Sequence, residues 1–117
     1  MTVQRLHVGP RMSQVAIHGN TVYLAGITAE VRGGTSVATQ TQEILDRIDT
    51  LLAEAGTSKE EVFKATIWLR DIASFAEMNS VWDKWVVAGK TPVRATVEAR
   101  LAAPDVLVEI QVEAAKL

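Results

Sequence analysis

The chain has 117 residues, of which 48% are hydrophobic and 22% charged, and its formal net charge is −2. This length and composition suit a single domain over residues 1–117 with a core of its own. The slightly acidic balance and the lack of any Lys or Arg cluster argue against a nucleic-acid partner. Because there is no cysteine, disulfides, thiolate catalysis and cysteine-ligated zinc are excluded.

The first residues lack the apolar stretch of a signal peptide, and no later run approaches the length that crosses a bilayer. We therefore expect a soluble, cytoplasmic protein with no membrane partner. Small molecules or other protein chains are the partners that the composition favours.

Three short strands are predicted at residues 3–8, 13–18 and 21–25. Gly9-Pro10 separates the first two. The turn pair Gly19-Asn20 is expected to join the second and third strands into a hairpin.

A helix is predicted next, because apolar residues recur at helical spacing from Val37 to Ala55. Ser36 is placed to cap its start and Gly56 to end it. Residues 62–69 then return to a period of two and predict a fourth strand. One face of that strand is predicted to be apolar and to lie under the helices, and it comprises Phe63, Ala65, Ile67 and Leu69.

A second helix follows, with Ser74 and Glu77 at capping-box spacing and Gly89 as its stop. Its buried face is predicted to comprise Ile72, Phe75, Met78, Trp82, Trp85 and Val86. Two more strands are predicted at residues 93–99 and 106–114, where apolar and polar residues alternate.

Two helices can cover only one face of this sheet, which predicts an α+β fold whose other face is open in a monomer. The residues placed on the open face are Lys64, Thr66, Trp68, Arg94, Thr96, Glu98, Glu109, Gln111, Tyr23 and Ala25. A solvated sheet face would waste Trp68 and Tyr23, so burial against another subunit is the better explanation. The sequence therefore predicts a homo-oligomer.

The candidates for chemistry are few. His7 and His18 have no partner at metal-ligand spacing, and no Gly-x-Ser-x-Gly elbow or Walker lysine is present. A guanidinium on a strand, as at Arg94, can clamp a carboxylate, although spacing alone favours an ordinary surface charge. Glu98, Glu109 and Glu113 could perform acid–base work beside Arg94 in a dry cavity. Exposed strand positions or ion pairs are the simpler explanation for at least two of these three.

The order of elements and several local motifs resemble the Rid family of reactive-intermediate deaminases, also called the YjgF family. The resemblance spans nearly the whole chain. The motifs that carry it are Gly9-Pro10 with Ser13-Gln14, GNTVYLAG at 19–26, QTQEIL at 40–45, LAEAG at 52–56, VFKATIWLRD at 62–71, Phe75 with Met78-Asn79, PVRATVE at 92–98 and LVEI at 107–110.

The resemblance implies a chorismate-mutase-like fold, with one mixed sheet and two helices on one face. It also implies a homotrimer with a central barrel and clefts between subunits. Active members hydrolyse enamines and imines such as 2-aminoacrylate to 2-oxo acids and ammonia, with no metal or cofactor. By the same resemblance, Arg94 grips the substrate carboxylate, and the backbone around Ala25, Gly26 and Ile27 lines the cleft.

Three departures from the family pattern concern the cleft. Thr96 stands where the deaminases commonly have cysteine, and Met12 lies where an aromatic residue often follows Gly-Pro. Gln111 is aligned with a last-strand glutamate that helps activate water, and an amide cannot accept the proton. Gln111 could still orient water by hydrogen bonding, so it is retained as a catalytic candidate with Arg94.

Two readings of the cleft follow, and a third comes from the family. The first is a 2-iminobutanoate/2-iminopropanoate deaminase, in which Arg94, Thr96, Met12 and the backbone of residues 25–27 bind the substrate. The second is a non-enzymatic module that binds small carboxylic acids through the same Arg94. The third, an endoribonuclease or translation inhibitor, is disfavoured by the acidic charge and the missing basic stripe.

Overall fold

The computed structural model describes residues 2–117 and shows seven strands and two helices. The strands are β1 (Gln4–Val8), β2 (Ser13–His18), β3 (Thr21–Leu24), β4 (Ile27–Thr28), β5 (Val62–Leu69), β6 (Val93–Glu98) and β7 (Val108–Ala115). The helices are α1 (Val37–Glu54) and α2 (Phe75–Trp85), with short 3₁₀ turns at Lys59–Glu61 and Ile72–Ser74.

One sheet contains all seven strands in the order β1-β2-β3-β7-β5-β6, and β4 also pairs with β7. The pair β5–β6 is parallel, because α2 carries the chain back between them, and the other pairs are antiparallel. The predicted α+β class, with one mixed sheet and two helices, is confirmed. β4 was not predicted, since two residues are too few to show a period.

Helix α1 supplies the largest part of the core. Ile44, Leu45, Ile48, Leu51 and Leu52 are all at most 1% exposed, as the predicted apolar stripe requires. The Ser36 side chain accepts a hydrogen bond from the Thr39 N–H, which confirms the predicted N-cap. Gly56 follows the helix with a φ of 80°, the left-handed conformation expected where a helix ends.

The predicted face of β5 is wrong at its first residue. Phe63 is 45% exposed, whereas Val62 is buried. The pairing with β7 shifts register between Val62 and Lys64, and such a bulge turns the following side chain to the opposite face. From Ala65 onward the predicted alternation holds.

The start of α2 also differs from the prediction. Ile72 and Phe75 are 45% and 41% exposed, so they do not belong to the buried face that Met78, Trp82 and Trp85 form. The predicted capping box is absent, because the Glu77 carboxylate accepts the Ala38 N–H at the start of α1.

The prediction for the end of α2 is wrong as well. The helix stops at Trp85, four residues before Gly89, and Gly89 lies in the following turn with a φ of 80°. Residues 86–89 therefore form a connection to β6 rather than the last turn of the helix.

The parallel register of β5 and β6 shows that the open-face prediction is wrong for Arg94, Thr96 and Glu98. Arg94 pairs with Ala65 and Thr96 with Ile67, and paired residues on neighbouring strands point to the same face. Since Ala65 and Ile67 are buried under the helices, Arg94, Thr96 and Glu98 lie on the helix side, not on the open face. The residues that β6 contributes to the open face are instead Val93, Ala95 and Val97.

Gln40 is a buried polar residue of α1 that holds the loop before β7. Its amide nitrogen donates to the Asp105 carbonyl at 2.9 Å, and its oxygen accepts the Leu107 N–H at 3.0 Å. Every hydrogen-bonding group of this buried contact is therefore satisfied, which is the usual condition for a buried amide.

We expect Gln40→Leu to lower the free energy of unfolding by about 2–4 kcal/mol, because two partly buried backbone groups lose their partners. Urea denaturation measures the change. Gln42→Leu, on the exposed side of the same helix, is the control and is expected to change stability by less than about 0.5 kcal/mol. Equal effects of the two substitutions would contradict the role of Gln40.

Candidate active site

Glu109 and Gly26 form the first part of the site, where β4 pairs with β7. A β-carbon on Gly26 would lie 2.1 Å from Glu109 Oε2, so only glycine leaves room for this carboxylate. Glu109 lies on the open face, paired with Trp68 of β5 and Thr28 of β4. Burial raises the pKa of Glu109 above its ordinary value, because desolvation disfavours the charged form.

The three candidate glutamates are separated by their partners. Glu98 accepts the Ile72 N–H at 3.0 Å, and Glu113 lies 3.5 Å from the Lys64 ammonium. Within residues 2–117, Glu109 makes no hydrogen bond or ion pair through its side chain. Of the three, Glu109 is therefore the carboxylate that remains available to a ligand or a water molecule.

A cavity of about 750 Å³ opens beside Gly26. Met12, Gly26 and Ile27 line it, together with Glu43 and Arg47 of α1. Ala25 comes directly before Gly26 in the chain, and its N–H donates to the Gln14 carbonyl at 2.9 Å. Three residues predicted to bind substrate, Met12, Gly26 and Ile27, thus line one opening, and Ala25 is the chain neighbour of Gly26.

The Gln111 side chain makes one contact with the backbone. Its side chain is exposed on the open face, and its Nε2 donates to the Leu24 carbonyl at 3.1 Å. It therefore ties β7 to the end of β3, one residue before Ala25.

Arg94 forms the second part of the site, beneath α2 at the β6 edge of the sheet. Its Nη1 donates to Asn79 Oδ1 at 2.8 Å, and its Cζ lies 5.5 Å and 5.3 Å from the ring centroids of Phe75 and Trp82. No carboxylate in the described part of the chain lies within ion-pair distance of it. Burial lowers the pKa of Arg94, although arginine remains a cation in proteins.

Thr96 follows Arg94 on the same side of β6. Its hydroxyl oxygen is buried and has no hydrogen-bond partner among residues 2–117. Buried polar atoms are rarely left without a partner, so this hydroxyl is an unusual feature of the Arg94 face.

The predicted residues thus fall into two groups within one chain. Met12, Gly26 and Ile27 line the cavity, and Gly26 also adjoins the Glu109 carboxylate on the open face. Arg94 and Thr96 lie on the helix side of β6, with β5 between β6 and β7. Sequence reasoning missed the aromatic surroundings of Arg94. The signal was present, because positions 75, 79 and 82 share one face of a helix.

The described residues offer neither a metal site nor a membrane-spanning helix. Within residues 2–117, no group of three or more His, Cys, Asp and Glu side chains could hold a metal ion. Neither α1 nor α2, the helices in the described range, has the length and apolar character needed to cross a bilayer.

Residues 2–116 match the protein-family model described as Endoribonuclease L-PSP. A RutC family protein of Haemophilus influenzae is 44% identical over 110 residues, covering 94% of this chain and 95% of the relative. The chain belongs to this RutC/YjgF family. The resemblance inferred from its motifs is therefore confirmed.

Further relatives support the assignment over the whole chain. The RutC family protein YoaB of Escherichia coli K12 is 43% identical over 115 residues, covering 98% of this chain and 99% of YoaB. The crystal structure of a YjgF-family protein from Neisseria meningitidis superposes with a TM-score of 0.96 at 44% identity. That superposition covers 100% of this chain and 97% of the Neisseria chain. The YjgF fold is thus shared from end to end.

In this YjgF-family chain we expect Gly26→Ala to lower the pKa of Glu109 towards its ordinary value. The added methyl group would displace the carboxylate into solvent, where the charged form is better hydrated. Titration of the Glu109 carboxyl carbon by NMR measures the shift. Gly33→Ala is the matched control, because a β-carbon there meets nothing within 4 Å. An unchanged Glu109 pKa in Gly26→Ala would contradict the contact.

Proposed function

We propose that the protein hydrolyses small reactive enamines and imines of the 2-aminoacrylate type to 2-oxo acids and ammonia. In the imine tautomer, a water oxygen bonds to the C=N carbon, and the π electron pair moves to nitrogen. A proton passes from the water to that nitrogen. The remaining O–H proton then passes to the same nitrogen, the C–N bond breaks with its electron pair on the departing ammonia, and an oxygen lone pair forms the carbonyl.

The observation that carries the proposal is the unpaired cation of Arg94. A small 2-imino acid has one permanent charge, its carboxylate, and a guanidinium can bind both carboxylate oxygens at once. Arg94 uses one N–H on Asn79 and has no internal carboxylate partner within residues 2–117. A substrate carboxylate would therefore meet a cation that no counter-ion already occupies.

Glu109 is our candidate for the group that handles the proton. A carboxylate with a raised pKa is a stronger base than an ordinary one, because it binds a proton more tightly. Gln111 lacks the carboxylate expected at its place in the last strand, but Glu109 is two residues earlier and on the same face. We assign Gln111 to holding the Leu24 carbonyl rather than to catalysis.

The rival reading is a module that binds small carboxylic acids without turning them over. It uses the same Arg94 and differs only in giving Glu109 no role. An endoribonuclease activity, which the family description names, has less support in this chain, because its net charge of −2 offers no general attraction for polyphosphate.

We further propose that the protein assembles as a homotrimer, as its family resemblance implies. The open sheet face leaves Val93, Val97 and Tyr23 at 70%, 45% and 41% exposed in a single chain. Burying such a face against other copies removes apolar area from water. Assembly would also explain how Arg94 and Glu109 could share one site although they lie on opposite faces of the sheet, since a cleft between subunits can join one group from each.

Light scattering at micromolar concentration is expected to give about three times the chain mass of 12.7 kDa. Val97→Asp should lower this mass, because it places a charge on the open face. Leu117→Asp, at an exposed position after β7, is the control and should leave the mass unchanged. A monomeric wild-type protein would end the trimer proposal.

For the activity, 2-iminopropanoate is generated with a dehydratase and trapped with semicarbazide, and wild-type protein should suppress semicarbazone formation. Arg94→Ala is expected to reduce this suppression about 100-fold, because the carboxylate anchor is lost. Glu109→Gln should cost about 100-fold, as loss of a general base does. Glu113→Gln is the matched control on the same strand and should stay within about 2-fold of wild type.

The outcomes separate the readings. Wild-type protein that leaves semicarbazone formation unchanged would reject deamination of this substrate. If a 2-oxo acid still binds in an Arg94-dependent way, the binding module is the better account. Gln111→Glu tests the remaining family departure, and a large gain in activity would show that Glu109 does not supply the missing carboxylate.

A further inference from the structure

Phe75 and Trp82 both contact Arg94, and core packing accounts only for Trp82. The Arg94 Cζ lies over both rings, 5.5 Å from the Phe75 centroid and 5.3 Å from that of Trp82. Together with Asn79, these residues occupy positions i, i+4 and i+7 of α2, which lie on one helical face. One face of α2 thus contacts the guanidinium with two rings and an amide.

Phe75 is the less expected of the two rings. It is 41% exposed and therefore adds little to the core. Its ring instead faces the Arg94 guanidinium. Trp82 is 5% exposed and is braced by Trp85, whose ring centroid is 5.2 Å away. Trp85 in turn donates its indole N–H to Asp49 at 3.0 Å, and this bond fixes the ring against which Trp82 packs.

Aromatic walls stabilise a cation without using its hydrogen-bond donors. The ring quadrupole attracts the guanidinium through its face, whereas a carboxylate partner would occupy its N–H groups. Arginine has five N–H donors, and Asn79 accepts one of them. The Asp83 carboxylate acts on the Arg94 charge from beyond ion-pair distance, and Glu77 on the same helix accepts the Ala38 N–H. The remaining donors are left for a ligand.

We propose that Phe75 and Trp82 are positioning residues that orient the Arg94 guanidinium and stabilise its charge without a counter-ion, so that the substrate carboxylate becomes its first ion-pair partner. The inference rests on the proposed role of Arg94 as the substrate anchor. It also explains why the Arg94 guanidinium needs no ion-pair partner from the chain when substrate is absent.

Equilibrium binding of 2-oxobutanoate, measured by calorimetry, tests the proposal separately from catalysis. Phe75→Leu and Trp82→Leu are expected to raise the dissociation constant about 5–10-fold each, the range of one cation–π contact. Phe75→Tyr and Trp82→Phe keep an aromatic face and should stay within about 3-fold of wild type. In an Arg94→Ala background, Phe75→Leu should have no further effect.

Ile72→Ala is the control for losing an exposed apolar side chain, since Ile72 is 45% exposed in the same segment and offers no ring. Circular dichroism and the melting midpoint confirm that each variant is folded. A second readout needs no ligand. The Nε–H resonance of Arg94 should lie upfield in wild type because of the ring currents, and should move downfield in Phe75→Leu.

The results distinguish this inference from the proposed activity. A folded Phe75→Leu protein with an unchanged dissociation constant and an unmoved Arg94 resonance would overturn the positioning role, even if deamination is observed. Ring-dependent binding without deamination would support the positioning role and reject the activity. Wild-type protein that fails to bind 2-oxobutanoate would overturn the inference, because no carboxylate then uses the free donors.

Discussion

The parallel pairing of β5 with β6 is the constraint on which the Arg94 half of the site depends. Because Arg94 is registered with the buried Ala65, its side chain must lie on the helix side of the sheet. β6 is also an edge strand, so nothing beyond it covers the guanidinium within one chain. The same pairing therefore places the cation against α2 and leaves it accessible from the edge.

The Glu109 half of the site depends on a central strand, β7, whereas Arg94 lies on the edge strand β6. β7 is paired with both β5 and β3, and β4 covers part of its length, so Glu109 lies among backbone on several sides. Gly26 is what makes room for its carboxylate. A half-buried acid at such a place keeps a raised pKa without any buried charge partner.

Both halves of the site contain polar groups that lack hydrogen-bond or ion-pair partners, whereas polar groups with a purely structural role usually have them. Arg94 lacks an internal counter-ion, Glu109 lacks a donor, and the Thr96 hydroxyl is unpartnered among the described residues. Gln40 shows the contrast, since its buried amide is bonded at both ends to backbone. Unsatisfied groups lower stability, so their concentration around the proposed cleft agrees with selection for binding rather than for folding.

The sequence by itself determined the elements and the family. Apolar spacing located α1 and most of the strands, Ser36 and Gly56 marked the ends of α1, and the motifs from residue 9 to residue 110 identified the relatives. Local pattern was sufficient there, because helical and strand periods are properties of a few neighbouring residues. It also selected Arg94, although only the family resemblance separated that residue from an ordinary surface charge.

Tertiary structure decided which face each strand residue occupies and which groups meet. The bulge at Val62 and Lys64 turned Phe63 outward, and the β5–β6 register moved Arg94 and Thr96 to the helix side. It also set Glu109 rather than Gln111 beside Gly26, and Phe75 and Trp82 beside Arg94. A period of two defines two faces of a strand but does not say which one is covered, because that depends on pairing with strands distant in the chain.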